Sequence, residues 1–195
     1  MKLIVIIGIV VIFFTIFSDR IIPGTTKTLK VDYPVFSYKK HPNEKNKLIE
    51  LFYYSGNLYT GKVFFFHGSY EEEGVFKDGL REGIWIRKIK HINWLSFFAE
   101  GTYYSEITFK NGVEDGPYRR YYKKKLGKMM LTGEGNYIEG RKEGIWKVYC
   151  HGKLTSEVNY KRNKLDGEKK NYDFNEKLIS IEFYKEGQLV TIVRY

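Results

Sequence analysis

One eight-residue pattern occurs four times in the sequence, and this internal repeat constrains the fold more than any other feature. Each copy begins with an aromatic residue, has a glycine or asparagine three positions later and ends with a glycine. The copies are residues 76–83, 109–116, 137–144 and 160–167, and a truncated fifth copy is residues 184–189. The leading aromatic residues are 33, 28, 23 and 24 positions apart. A repeat of this period indicates stacked copies of one supersecondary unit.

The glycines of the repeat predict β-hairpins. Two-residue hairpin turns need positive φ angles, which glycine adopts freely and asparagine at small cost. The third position after the aromatic residue is therefore expected to lie in a turn, and it is occupied by Gly79, Gly112, Gly140, Asn163 and Gly187. The second glycine of each copy is expected to let backbone or an aromatic ring approach closely, and these structural residues are Gly83, Gly116, Gly144 and Gly167.

These patterns predict an all-β protein, built from tandem antiparallel β-hairpins that form an elongated, twisted open sheet. Residues 51–66 match the strand–turn–strand half of the same unit, so the repeat domain is expected to span residues 48–195. A single flat layer cannot bury many rings, and wide sheets usually twist or curl. We therefore expect the aromatic residues, which make up 17% of the chain, to line a concave side.

The N-terminal part of the chain has a different composition. Residues 3–17 carry no charge, and as a helix they would be only ~22 Å long, shorter than the ~30 Å hydrocarbon core of a bilayer. This length favours the interpretation that residues 1–18 are a cleaved signal peptide. A single N-terminal membrane anchor and a buried apolar segment are the alternatives. Residues 19–47 contain three of the four prolines and are predicted to be a tether. We expect a cell-envelope protein that is periplasmic, secreted or anchored by this apolar helix.

No motif in the sequence predicts catalysis, a cofactor or a metal site. The four histidines lack metal-ligand spacing, and the neighbours Cys150 and His151 are expected to point to opposite faces of a strand. An acidic residue precedes the second glycine of every copy, at Glu82, Asp115, Glu143 and Asp166. We expect solvated turns with weak ion pairs there, a row of cation ligands being the alternative. The chain is therefore predicted not to be an enzyme.

The best candidate binding surface is a basic cluster interleaved with tyrosines. It comprises Arg119, Arg120, Tyr121, Tyr122, Lys123, Lys124 and Lys125. Cations beside aromatic rings suit anionic polymers, although strand alternation divides this cluster between two faces. A protein partner, an anionic lipid or an envelope polysaccharide is expected, whereas nucleic acid is not expected for an exported chain. The alternative is a solvated basic face without a ligand.

Two further expectations concern partners and family. An open sheet has exposed edge strands, so residues 190–195 are predicted to allow homodimerisation. The units resemble the variant MORN repeats of bacterial proteins, with the run aromatic-Lys-Asn-Gly-Lys-x-Asp/Glu-Gly-x-Trp-x-x-Tyr-Tyr. The resemblance covers about three quarters of the chain and is closest at residues 109–122 and 137–149, but the unit at Gly167 lacks the aromatic residue that follows the second glycine elsewhere.

The resemblance implies a repeat protein that binds other molecules. Some similar proteins are YwqK-like antitoxins, which implies an antitoxin or immunity-like protein that neutralises a partner toxin as the alternative function. Our leading hypothesis is a non-enzymatic, exported or membrane-anchored protein. Its extended aromatic and basic surface would bind another protein or an anionic envelope component.

Overall fold

The computed structural model describes residues 28–32, 37–42, 48–54, 56–91 and 101–195, which contain fifteen β-strands. The first five strands are β1 (Thr28–Asp32), β2 (Ser37–Pro42), β3 (Leu48–Tyr54), β4 (Asn57–Leu58) and β5 (Gly61–His67). The next five are β6 (Tyr70–Lys77), β7 (Leu80–His91), β8 (Gly101–Lys110), β9 (Val113–Lys124) and β10 (Met129–Ile138). The last five are β11 (Arg141–Cys150), β12 (Lys153–Lys161), β13 (Lys164–Tyr172), β14 (Leu178–Lys185) and β15 (Gln188–Arg194). The apolar N-terminal segment, residues 1–18, lies outside the described residues.

Strands β5 to β15 form one open antiparallel sheet in which each strand pairs with the next strand along the chain. The parallel strand β1 is added beside β5, so the twelve-stranded sheet ends at β1 on one side and at β15 on the other. The predicted all-β architecture of antiparallel hairpins in an open sheet is therefore confirmed.

A second sheet, with the order β2-β3-β4, lies near the N-terminal side of the large sheet. The backbone N–H of Phe52 on β3 donates to the carbonyl oxygen of Gly79 at 2.8 Å, and its ring stacks on Phe76 with centroids 4.3 Å apart. Strands β1 and β2 lie in the segment expected to be a tether, which thus contributes one strand to each sheet. Residues 51–66 do form strands, but β3 and β4 belong to the second sheet and only β5 joins the array.

Two-residue turns close the hairpins at one end of the large sheet, and both residues of each turn have positive φ. The second turn residue is the one the repeat indicates, with φ of 75° at Gly79, 77° at Gly112, 75° at Gly140, 69° at Asn163 and 88° at Gly187. The first turn residues have φ between 48° and 51°, and they are Asp78, Asn111, Glu139, Arg162 and Glu186. Two consecutive positive φ angles are the geometry of a type I′ turn, whose twist matches that of the flanking strands.

The second glycine of each copy lies where the register between two strands shifts. The φ angles there are 69° at Gly83, 123° at Gly116, 69° at Gly144 and 107° at Gly167, so each is a bulge position that an L side chain would strain. At Gly83 and Gly144 no described atom lies within 4 Å of a built Cβ, so the expected close approach is absent there. Backbone conformation, not space, explains these two glycines.

Aromatic rings from successive strands collect on one face of the large sheet, called the aromatic face below. Trp85 lies 4.9 Å from Phe76 and 6.1 Å from Phe109, and Trp146 lies 5.3 Å from Tyr118, between ring centroids. The rings of this face are Phe65, Phe76, Trp85, Phe109, Tyr118, Tyr137, Trp146 and Tyr160. Burial is greatest around Trp85, which is 0% exposed.

Each tryptophan lies over a glycine of the preceding strand. A Cβ built on Gly74 would be 2.2 Å from Cδ2 of Trp85, and one on Gly135 would be 2.2 Å from Cδ2 of Trp146. Opposite the smaller Tyr118 the corresponding residue is Ile107. The indole ring therefore requires glycine on the preceding strand, whereas the tyrosine ring does not.

Candidate functional site

The predicted basic cluster lies on β9 and in the turn that leads to β10. Arg119 is paired across the strands with Glu106 and Glu134, and its Nε lies 3.9 Å from a carboxylate oxygen of Glu134. On the other face, Nε of Arg120 donates to Oγ1 of Thr132 at 3.3 Å. The structure therefore divides the arginines between two faces and gives each a partner on β10.

The face opposite the aromatic face carries a row of alternating charges, called the charged row below. Cross-strand pairing places its members side by side from β8 to β13, and they are Glu106, Arg119, Glu134, Lys147, Glu157 and Lys170. Opposite charges on neighbouring strands attract, and such pairs contribute ~0.2–1 kcal/mol each. A groove of about 240 Å³ on this face is lined by both signs of charge, including Arg119, Glu134 and Lys147. The charged row therefore balances itself and offers no surface of one sign.

The tyrosines of the cluster are also held within the sheet. The hydroxyl of Tyr121 donates to Glu106 at 3.5 Å, the first of three Tyr–Glu bonds fifteen residues apart in sequence. The other two join Tyr149 to Glu134 at 2.8 Å and Tyr172 to Glu157 at 2.9 Å. On the aromatic side, the ring of Tyr122 lies 4.8 Å from that of Tyr103, and a Cβ at Gly101 would be 2.3 Å from its hydroxyl. Neither tyrosine presents a free ring to a ligand.

The remaining part of the cluster is the end of the β9–β10 hairpin, residues 123–129, called the basic tip below. All seven residues are exposed, and the four cations among them are Lys123, Lys124, Lys125 and Lys128. The side chain of Leu126 is 100% exposed at the centre of this group, and Met129 is 49% exposed. The basic tip contains no acidic residue. It thus combines concentrated positive charge with an exposed apolar side chain.

Two cations that the sequence analysis did not single out lie over the tryptophans of the aromatic face. The guanidinium of Arg81 lies 4.4 Å from the Trp85 ring, and Nζ of Lys142 lies 4.3 Å from the Trp146 ring. Burial lowers the pKa of Lys142, and the nearby charge of Arg120 adds to this effect. Each cation lies two residues after a turn glycine and four residues before the tryptophan of the same strand, and this spacing is the only signal the sequence contains for it.

Arg81 also belongs to a buried polar network. It forms a two-bond ion pair with Glu72, at 2.9 and 3.0 Å, although Glu72 is only 2% exposed. Arg87 donates to the same carboxylate at 3.0 Å and to the hydroxyl of Tyr70 at 3.1 Å. The pKa of Tyr70 is raised to about 12, chiefly by burial. The charge of Glu72 also raises this pKa, and its effect is larger than the opposite effect of Arg87. The carboxylate is therefore satisfied by two guanidinium groups and is not open to a ligand.

Three of the four acidic residues before the second glycines bind the backbone of a turn. The carboxylate of Glu82 accepts a hydrogen bond from the backbone N–H of Asn111 at 2.9 Å, and that of Glu143 accepts one from Arg162 at 2.9 Å. Asp166 accepts one from Glu186 at 3.2 Å, and this bond lowers its pKa. Each of these three acids thus connects its unit to the first turn residue of the next unit. The described residues contain no group of three or more His, Cys, Asp or Glu that could hold a metal ion.

Cys150 and His151 are in contact, contrary to the expected opposite orientation. The Sγ atom of Cys150 lies 3.3 Å from Nδ1 of His151. The reason is that His151 is the first residue of a turn, with φ of 51°, and strand alternation does not apply to it. At the β11–β12 turn, Cys150 is half-buried and His151 is exposed.

Comparison with family models, curated proteins and solved structures finds no match for the chain. The MORN-like assignment accordingly stays a prediction from the repeat. Among the described residues, the structure has no helix with the length and apolar character needed to cross a bilayer.

Proposed function

We propose that the chain is a non-enzymatic binding protein whose basic tip docks on an anionic lipid surface. The observation that carries the proposal is the contrast within the basic cluster. Its arginines and tyrosines lie within the sheet beside β8 and β10, whereas its lysines at residues 123–128 are exposed at the end of the hairpin and surround the fully exposed Leu126. Leu126 favours a bilayer over a soluble polyanion, because an apolar side chain gains free energy only where it leaves water.

The chain's other features agree with this proposal. The net charge is +10, and basic residues near an anionic membrane contribute about 1 kcal/mol each. If residues 3–17 direct the chain to the envelope, as their composition predicts, the sheet would work close to a membrane. The paired strands of the sheet would then hold the basic tip in a fixed position.

Vesicle flotation with the full chain tests the proposal. We expect tighter binding to phosphatidylcholine vesicles that contain phosphatidylglycerol than to vesicles without it. The triple variant Lys123→Glu, Lys124→Glu, Lys125→Glu should lose this preference by about 100-fold, since three basic contacts are worth ~3 kcal/mol. The matched control is Lys77→Glu, Lys110→Glu, Lys164→Glu, which makes the same charge change on exposed residues at the opposite end of the strands.

Three outcomes would contradict the proposal. Equal losses in the two triple variants would mean that net charge, not the tip, drives binding. Equal binding to both kinds of vesicle would mean that the apolar N-terminal segment alone is responsible. Binding to a soluble polyanion without a blue shift in the fluorescence of Leu126→Trp on anionic vesicles would point to an envelope polysaccharide instead.

A further inference from the structure

Among the described residues, strand β15 forms one edge of the large sheet, with no further strand paired beside it. All seven residues from Gln188 to Arg194 are exposed, and the apolar ones include Val190 at 66%, Ile192 at 37% and Val193 at 41%. Edge strands in soluble proteins are usually protected by charges, proline or a covering segment. β15 contains one charged residue, Arg194, and no proline. This edge has the composition of an inner strand.

We propose that β15 pairs with β15 of a second copy of the chain in an antiparallel, two-fold symmetric arrangement. Every strand pair from β5 to β15 is antiparallel, so this contact continues the pattern of the sheet. With the two-fold axis at Ile192, Thr191 faces Val193 of the second copy and Val190 faces Arg194. No charged residue then faces another charge, which would cost free energy in a cross-strand pair.

The charge distribution favours a second copy at this edge. Although the chain has a net charge of +10, residues 164–195 contain six lysines and arginines and six aspartates and glutamates. Two copies therefore meet through neutral regions and keep their basic tips apart. Such a neutral surface also gives an acidic or basic partner protein no electrostatic advantage over a second copy.

The symmetry of the contact limits the assembly to two chains. Each large sheet has one β15 edge, and its other edge is the five-residue parallel strand β1. A contact between two identical edges occupies both edges, so the assembly is complete as a dimer. A head-to-tail contact between different edges would instead continue into a filament. This inference concerns the edge alone and does not depend on lipid binding by the basic tip.

Sedimentation of the full chain in mild detergent, over a range of protein concentrations, tests the proposal. We expect a reversible monomer–dimer equilibrium. Ile192→Lys places two like charges face to face on the axis and should weaken dimerisation by about tenfold or more. The matched control Ile145→Lys makes the same change on the inner strand β11, at a side chain that is 60% exposed, and should dimerise like the parent protein.

Cross-linking determines the register independently of any effect on folding. In a Cys150→Ser background, oxidation of Ile192→Cys should yield a disulfide-linked dimer, because a residue on the axis meets its own copy. Leu189→Cys is also exposed, at 50%, but is three residues from the axis and should remain monomeric under the same conditions. A monomer at every concentration, a dimer that Ile192→Lys does not weaken, or equal cross-linking at both positions would overturn the proposal.

Discussion

The unit on β6 and β7 and the unit on β12 and β13 have the same backbone but different side chains on the aromatic face. In the first unit, Trp85 lies over Gly74 and is fully buried. In the second, Lys169 stands at the corresponding position, opposite Val158, and donates to Glu182 at 3.0 and 3.2 Å. Both units nonetheless have a turn with two positive φ angles and a bulge at the second glycine. Turn and bulge chemistry therefore defines the unit, and ring packing adds stability to part of the array.

The two regions differ in the kind of interaction that holds them. Around Trp85 the large contributions come from buried rings, each worth several times a partly exposed hydrogen bond. Near the C-terminus, Glu182 accepts bonds from Tyr184 at 2.7 Å, Lys169 and Asn171. The bond from Tyr184, followed by that from Lys169, lowers the pKa of Glu182. We expect the strands after β12 to open before those around β7.

The largest expected change in stability comes from removing the tryptophans, and it tests this difference between the two regions. Trp85→Ala should lower the free energy of unfolding by ~3–5 kcal/mol, because it empties a site that is 0% exposed. Trp146→Ala should cost less, since Trp146 is 7% exposed and lies outside the cluster that contains Phe52. Urea unfolding followed by circular dichroism measures both values. A larger loss for Trp146→Ala would reverse the proposed order of the two regions.

A smaller effect is expected from filling the space beneath the rings. Gly74→Ala and Gly135→Ala should each cost ~1–3 kcal/mol, because the new Cβ would overlap the indole ring. Gly133→Ala is the matched control on β10, where the nearest atom to the new Cβ is the carbonyl oxygen of Lys147 at 3.6 Å. If the control loses as much stability as Gly135→Ala, contact with the ring is not the reason for these glycines.

Alkaline pH tests the buried network of the first region. The pKa of Tyr70 is raised to about 12 from its ordinary value of 10.0, chiefly by burial. The unfolded chain then releases this proton first, so the stability contributed by the protonated group is lost as pH rises from 10 to about 12. Unfolding curves across this range should fall less steeply for Tyr70→Phe than for the parent protein. Parallel curves for the two proteins would show that Tyr70 does not contribute to the slope.

The smallest effect concerns the first turn residue, which is Asn111 in the β8–β9 turn and Arg162 in the β12–β13 turn. Both have φ near 50°, a conformation that asparagine adopts at lower cost than arginine. Arg162→Asn should stabilise the fold by ~0.5 kcal/mol, and the reciprocal Asn111→Arg should destabilise it by a similar amount. Thermal unfolding of the two variants checks the signs. Shifts in the same direction would mean that neighbouring contacts, and not turn geometry, decide the effect.

The sequence predicted the turns well because their requirement is local. Asn163 follows the repeat where four other units have glycine, and its amide oxygen also accepts a hydrogen bond from the N–H of Lys142 at 2.6 Å. This hydrogen bond explains why asparagine is suited to this position, but no local sequence pattern predicts the bond. The glycines under the tryptophans were missed for a similar reason, although Gly74 and Gly135 both precede a leading aromatic residue by two positions.

The candidate site was predicted only in part. Alternation along β9 correctly separates Arg119 from Arg120, but the sequence of one strand does not contain the residues of its neighbours. Register places Glu106 and Glu134 beside Arg119, and this neutralises the part of the cluster with the highest density of arginine and tyrosine. What is left exposed is the basic tip, and this selection required the positions of β8 and β10.

The sequence by itself determined the hairpin array, since positive φ angles at regular intervals depend on glycine and asparagine within each turn. The tertiary structure alone decided which strands share a sheet, so that β3 and β4 leave the array while β1 and β5 join in parallel. It also decided that three of the acids before the second glycines bind the backbone of the next turn. These outcomes depend on contacts between residues nineteen or more positions apart, whose free energy appears only when the register of the whole sheet is fixed.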